Sequence, residues 1–442
     1  MDSTSNASVL SITEVEIQQV VERYILEKQG KCPSKLRILS HHAKRLSAEG
    51  EPVGYLGDHY FLNIVLRKES TEEQTISFFV KILPEHVPKL ADYVQEMGCF
   101  QKEIRLYTGL LPRLQDVMTG TMPFAPRAYY SRGEKLLISE NLQAKGYKMV
   151  QSNRILLDYQ HLKVALEAVA KLHAASLVLE NQTKQCVTKQ YPGVLDENAY
   201  VDDGNYVRKI NLDNAIDAMC ELIKRIGKYQ KSDKLGFILE KFPRVIRKIY
   251  LFAKPSSVYR NVVNHGDLWS NNIMFLYDTV KSSAVNSGEG SPQPTSAILL
   301  DYQLSRYAPP ALDVLTLIML GCMGEFRTRH LHSLLDAYYT ALSANVTAHN
   351  LNMERILSRK EFETSCEYYH LAGLIENVLF SHLILIPAEL VKPLMGSSES
   401  FDDFIRNGTA KVQLCVKSFE QDETFRVRLT DGLSAIIDRY IL

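Results

Sequence analysis

This chain of 442 residues has no excess of charge: 51 Lys and Arg balance 51 Asp and Glu. That balance gives no global field to draw in nucleic acid or an anionic membrane surface. Cysteine is sparse and unpatterned. The seven thiols (Cys32, Cys99, Cys186, Cys220, Cys322, Cys366 and Cys415) are odd in number and contain no CxxC pair. This speaks against a disulfide framework or a zinc site and for reduced thiols in a cytoplasmic protein. Long charge-free apolar runs are missing too. Ala311 to Gly324 carries Asp313, and Leu371 to Ile386 carries Glu376, Asn377 and His382, so both read as buried helices and no membrane span is expected. Met1 to Leu10 is polar, which argues against a secretory signal. There is no internal repeat, and nothing in the pattern sets an oligomeric state. What remains is a chain long and apolar enough for one large or two medium domains.

The chain opens with a capping box, Thr13-Glu14-Val15-Glu16, before apolar residues at helical spacing up to Gly30. From Leu36 to Leu83 the period shortens to two, as in strands: Tyr60, Leu62, Ile64 and Leu66, then Ile76, Phe78 and Val80. Ahead of them Gly54-x-x-Gly57 is a partial glycine loop, whose backbone amides could approach phosphates where no side chain intervenes. Val87 to Leu111 reads as a helix by period. Lys135 to Leu142 reads as a buried strand running into a polar linker with Gly146, which puts a domain boundary between residues 142 and 143. Beyond it the pattern is mainly helical, beginning with Tyr159 to Leu179. Residues 183–215 look like a polar inserted loop that could face substrate. The Ser- and Gly-rich stretch from Ser282 to Pro292 reads as a flexible loop. His173, on an apolar helix face, reads as a hydrogen-bonded core residue. Asp313 has a structural reading, either capping a helix or anchoring a neighbouring loop.

The chemistry concentrates in Asn264 to Phe275. His265, Asp267 and Asn272 have the H-x-D-x-x-x-x-N spacing of a phosphoryl-transfer loop, in which the Asp takes the proton of an attacking hydroxyl and the Asn holds magnesium. A second acid, Asp301, ends the apolar run Ala297 to Leu300. Paired antiparallel with Ile273 to Leu276, that run brings Asn272 and Asp301 to one end. These are the expected metal ligands, with Asp267 the expected catalytic base. Lys81, inside the apolar strand Phe79 to Leu83, must snorkel or meet a negative partner, and stands where such enzymes place the lysine that grips ATP phosphates. Its carboxylate partner is either Glu103 or Glu96. Gly266 replaces the Arg that in many protein kinases reads a phosphorylated activation loop, and Asp301 to Asp313 is too short to dock a peptide. The acceptor therefore reads as a small molecule.

These residues resemble the ecdysteroid kinase-like family, related to choline kinases and aminoglycoside phosphotransferases. The resemblance rests on His265-Gly266-Asp267-Leu268-Trp269-x-Asn271-Asn272-Ile273-Met274-Phe275, and on Leu300-Asp301-Tyr302-Gln303. Further pieces are Phe79-Val80-Lys81, Phe100-x-x-Glu103-Ile104-x-x-Tyr107, Ser139-Glu140-Asn141-Leu142 and Lys171 to Ser176. It implies a two-lobed, protein kinase-like α+β fold with a small antiparallel sheet in the first lobe and a larger helical second lobe. It further implies ATP and Mg2+ as cofactors, Glu103 as the partner of Lys81, and a hinge at Glu140 and Leu142 that holds the nucleotide. Gly54 and Gly57 would cover the phosphates. The implied reaction phosphorylates a hydroxyl of a small molecule, an ecdysteroid or other lipophilic alcohol. The glycine loop departs from the family's G-E-N-Y-x-S, with Leu62 in the place of Ser, which weakens its expected phosphate contacts. That departure keeps a non-catalytic ATP-binding scaffold as the competing reading. A choline- or ethanolamine-type acceptor is a further one, and it would need an acidic or aromatic cage.

Overall fold

The computed structural model describes residues 11–31, 36–46, 56–67, 73–150, 156–278 and 292–442. Gly54, most of the Ser- and Gly-rich stretch after residue 281, Cys32 and the first ten residues fall outside the described residues. The period-two segments form a five-stranded antiparallel sheet in the order β1-β2-β3-β5-β4. Its strands are β1 Arg37–Arg45, β2 Asp58–Arg67, β3 Glu73–Ile82, β4 Ala128–Arg132 and β5 Leu136–Glu140.

Alternation assigns the two faces of this sheet. Tyr60, Leu62, Ile64, Phe78, Val80 and Ile138 pack into one buried cluster with Ile17, Val20, Val21 and Ile25 of the helix Glu14–Gln29. That helix starts at the expected Thr13 capping box and stops at Gly30, which takes a left-handed φ of 69°. The residues between point the other way. His59 pairs with Lys81 and Lys81 with Leu137, while Phe61 pairs with Phe79 and Phe79 with Ser139; all six line a cavity. Leu62 is therefore on the face opposite Lys81, in the core. The departure at Leu62 from the family's glycine-loop pattern thus lies away from the cavity.

The expected single helix from Val87 to Leu111 is broken. Helices Pro88–Glu96 and Cys99–Arg105 meet at Gly98, whose φ of 61° is left-handed, and a π-helical turn follows at Leu106–Leu110. The expected polar loop at 183–215 also ends early, because a helix begins at Val207 and runs to Ile223. The rest of the chain is mainly helical. Helix Tyr159–Thr183 packs on Gly324–Ala348, and the wholly buried Pro310–Gly321 packs on Arg359–Ile384. Among the described residues no single helix is long and apolar enough to cross a membrane.

Two short antiparallel pairs lie between sheet and helices. β6 Val262–Asn264 pairs with β9 Arg306–Ala308, and β7 Ile273–Tyr277 pairs with β8 Pro294–Leu299. The architecture is α+β, with a small antiparallel sheet in the N-terminal part and a larger helical C-terminal part.

Candidate active site

The β7–β8 hairpin sets the first distance. Ile273 faces Leu299, and the Leu300 amide donates to the Asn272 carbonyl at 2.8 Å, so Asn272 and Asp301 leave the same end. Asp301 has a φ of 64°, a left-handed conformation uncommon outside glycine and of the kind that recurs at functional sites. Its Oδ1 accepts from Lys81 Nζ at 2.9 Å, and Lys81 Nζ also donates to Glu103 Oε2 at 2.6 Å. Glu96 is elsewhere: it accepts from the Val207 amide at 3.0 Å and from Arg406 at 3.2 Å. Burial alone would lower the Lys81 pKa. The Asp301 and Glu103 carboxylates reverse this and hold it above the ordinary lysine value. Burial pushes the Glu103 carboxyl upward even with Lys81 beside it. Gly57 lies against the lysine stem; a Cβ there would stand 3.2 Å from Lys81 Cε.

The loop after β6 is held from below by Asp313. Its carboxylate accepts from the amides of His265 at 2.6 Å and Gly266 at 3.0 Å, and its Oδ2 lies 3.3 Å from His173 Nε2. His173 Nδ1 in turn lies 2.6 Å from the Tyr338 hydroxyl. Burial would raise the Asp313 pKa, but the His173 hydrogen bond, the His265 ring and the Gly266 amide hold it below the usual carboxylate value. Of the two structural roles open to Asp313, anchoring the loop is the one it performs, and His173 is its support.

His265 links both halves of the site. Its Nδ1 accepts from the Asp267 amide at 3.2 Å, so Nε2 carries the proton and donates to the Leu300 carbonyl at 2.8 Å. Asn272 Nδ2 donates to the Asp267 carbonyl at 2.8 Å, leaving the Asn272 side-chain oxygen free to ligate. Gln303 Nε2 lies between the two acids, 3.5 Å from Asp267 Oδ2 and 3.2 Å from Asp301 Oδ2. Burial, then the Asp301 charge, push the Asp267 carboxyl up to about 7.

Gly266 has φ 79°, and a Cβ on it would stand 2.1 Å from the Leu304 carbonyl oxygen and 3.3 Å from Arg306 Nε. Close approach of the 304–306 segment is thus what requires glycine here. The buried guanidinium of Arg306 fills the adjoining space. It lies 3.1 Å from both Glu197 and Glu376, with its Cζ 5.1 Å from the Tyr200 ring centroid. Sequence reasoning missed this group, which has no local signature.

Glu103, Asp267 and Asp301, with Lys81, border one cavity of about 470 Å³. Glu140 and Leu142 line it at the end of β5. The Glu140 carboxylate pairs with Lys145, and the Leu142 carbonyl accepts from the amides of Lys145 and Tyr147. Among the described residues no group of three or more His, Cys, Asp or Glu could hold a metal alone. Asn272 and Asp301 offer hard oxygen donors of the kind that bind Mg2+ when phosphate oxygens and water complete the shell, so the residues present fit that ion.

A sheet lysine bonded at once to Glu103 of the helix Cys99–Arg105 and to Asp301 at the end of the hairpin is the arrangement of a protein kinase-like fold. The chain belongs to the ecdysteroid kinase-like family, whose model matches residues 54–351. No curated protein matches it. Among solved structures it is similar to choline kinase LicA from Streptococcus pneumoniae at 12% identity and a TM-score of 0.36, over 91% of this chain and 98% of that one. By family it is a small-molecule kinase-like protein.

Proposed function

We propose that the protein transfers the γ-phosphoryl group of ATP to a hydroxyl of a small molecule. The observation that carries this reading is the three-membered ion pair Glu103–Lys81–Asp301, beside Asp267 in one cavity. In this reading residues 1–142 form the lobe that covers the nucleotide, with Gly57 over the phosphates and Glu140 and Leu142 at the adenine. Residues 143–442 form the lobe that holds the acceptor.

Glu103 fixes Lys81, whose ammonium moves from Asp301 onto the nucleotide phosphates. Asn272 and Asp301 would hold Mg2+, which when bound neutralises charge on the phosphates. Asp267 takes the hydroxyl proton as that oxygen forms its bond to phosphorus and ADP leaves. Asp313 and His265 hold the geometry, and positioning with charge stabilisation does most of the work.

The acceptor side of the cavity favours an apolar body. It is walled by Leu212, Phe380, Leu383, Val391, Phe401 and Phe404. A choline-type cation fits less well, since the cationic Arg208 lines the same cavity and Arg306 already stacks on Tyr200. A thermal-shift titration with Mg-ATP, followed by an ATP-consumption screen over lipophilic alcohols, amines and sugars, tests the proposal. Nucleotide binding with no turnover across the screen would favour the non-catalytic scaffold.

A further inference from the structure

Arg208 is the second residue of the helix Val207–Ile223, and it lines the acceptor side of the cavity. A guanidinium has five N–H donors and a permanent charge. Two buried arginines elsewhere meet carboxylates, Arg306 with Glu197 and Glu376 and Arg327 with Asp431, whereas buried Arg428 donates to the Leu320 carbonyl; Arg208 is half-buried. Arg208 meets none within ion-pair distance among the described residues. Its partners are the Tyr93 hydroxyl at 3.3 Å and the Ala199 carbonyl at 3.5 Å. Glu96, on the neighbouring helix, is engaged by the Val207 amide and by Arg406.

The groups around Arg208 are also donors. Asn211, one turn further along the helix, lines the cavity and gives its side-chain oxygen to the buried Lys411, which leaves its NH2 as a donor. His382 lines the same cavity at 2% exposure, with its ring set against the backbone of Val378 and Leu379 one turn earlier in its helix. A cation without a counter-ion on an apolar wall costs free energy unless something supplies the negative charge. Lys81 is the cation paired with Glu103 and Asp301, whereas the charge of Arg208 is felt at Asp267, where acceptor and phosphoryl group would meet.

We propose that the acceptor is an apolar alcohol bearing one oxyanion group (carboxylate, sulfate or phosphate ester), and that Arg208 binds that group with help from Asn211 and His382. This deepens the phosphotransferase reading and rests on it for the position of the acceptor. Part of the enclosing wall, with Val391, Leu394, Phe401, Phe404 and Ile405, lies outside the 54–351 family match.

The chain has a single tryptophan, and Trp269 lines this cavity, so its emission reports occupancy without any turnover. The test titrates the full chain with 12-hydroxydodecanoate and with cholate, each against its methyl ester, and with the sulfate and phosphate monoesters of 1,12-dodecanediol. At least one acid is expected to bind roughly 10- to 100-fold more tightly than its neutral counterpart, as a charge-assisted hydrogen bond provides. The sulfate and phosphate arms identify which oxyanion is preferred. Arg208→Gln should remove the preference while leaving the ester affinity in place, and Arg208→Lys should keep part of it. Equal binding of acids and esters, no saturable change with any acid, or a preference that survives Arg208→Gln would each overturn the proposal. Mg-ATP thermal shifts on the same samples separate this from a failure of the phosphotransferase reading, which would appear as loss of the nucleotide shift instead.

Discussion

Lys81 Nζ and Asp301 Oδ1 lie 2.9 Å apart across 220 residues of chain. With Glu103 on its other side, the lysine is balanced between two carboxylates. Nucleotide binding would redistribute these charges: the lysine turns to phosphate and Asp301 to the metal. The ion pair thus holds the site in order before its ligand arrives, in a buried setting where an unpaired charge would be costly.

In the proposed reaction Asp267 and Asp301 have separate tasks, proton transfer and metal binding. Asp267→Asn should keep Mg-ATP affinity and lower transfer by about 10²- to 10⁴-fold, the usual worth of a positioned general base. Single-turnover transfer beside a nucleotide titration checks this. Near wild-type turnover in Asp267→Asn would remove Asp267 from the role of base.

Gly266 cannot accept a side chain without moving the 304–306 segment. Gly266→Ala brings a Cβ to 2.1 Å from the Leu304 carbonyl and leaves a non-glycine residue at φ 79°. Overpacking together with left-handed strain should cost on the order of 3 kcal/mol. Denaturant unfolding should show it, along with weakened transfer, since the same residue's amide is held by Asp313. An unchanged unfolding midpoint would contradict the close approach.

Much of this was legible beforehand because it is local. The spacing of His265, Asp267 and Asn272, the acid ending β8 and the strand lysine are short patterns with chemical meaning. Glu103 was not decided by local pattern, since Glu96 lies on the same helical stretch and only the family resemblance separated them. The break at Gly98 was hidden because apolar periodicity continues across it. Asp313 had two structural readings until tertiary contacts with His265 and Gly266 selected one. Arg208 falls in the polar stretch 183–215 that could face substrate, but nothing singled it out there. Its neighbours Phe380, His382 and Phe404 arrive from far along the chain, and only folding brings them to it.

Lys411 offers a pH-dependent test of burial. It is fully buried, and desolvation lowers its pKa from 10.5 to about 7. The unfolded chain therefore holds this proton more tightly than the folded one. Between about pH 7 and 10.5 the unfolded state binds more protons, so this residue's contribution to stability rises with pH across that window. Lys411→Met removes the penalty. Its melting temperature should exceed that of the wild type most at about pH 6, and the gap should narrow toward pH 10. A gap that is constant with pH would mean the lysine titrates normally.

The most direct measurement is calorimetric titration of Mg-ATP into the wild type, Lys81→Met and Asp301→Asn. Saturable one-site binding to the wild type, weakened when Mg2+ is omitted and strongly impaired in both variants, is the expected result. No binding to the wild type, or equal binding to all three proteins, would contradict the account.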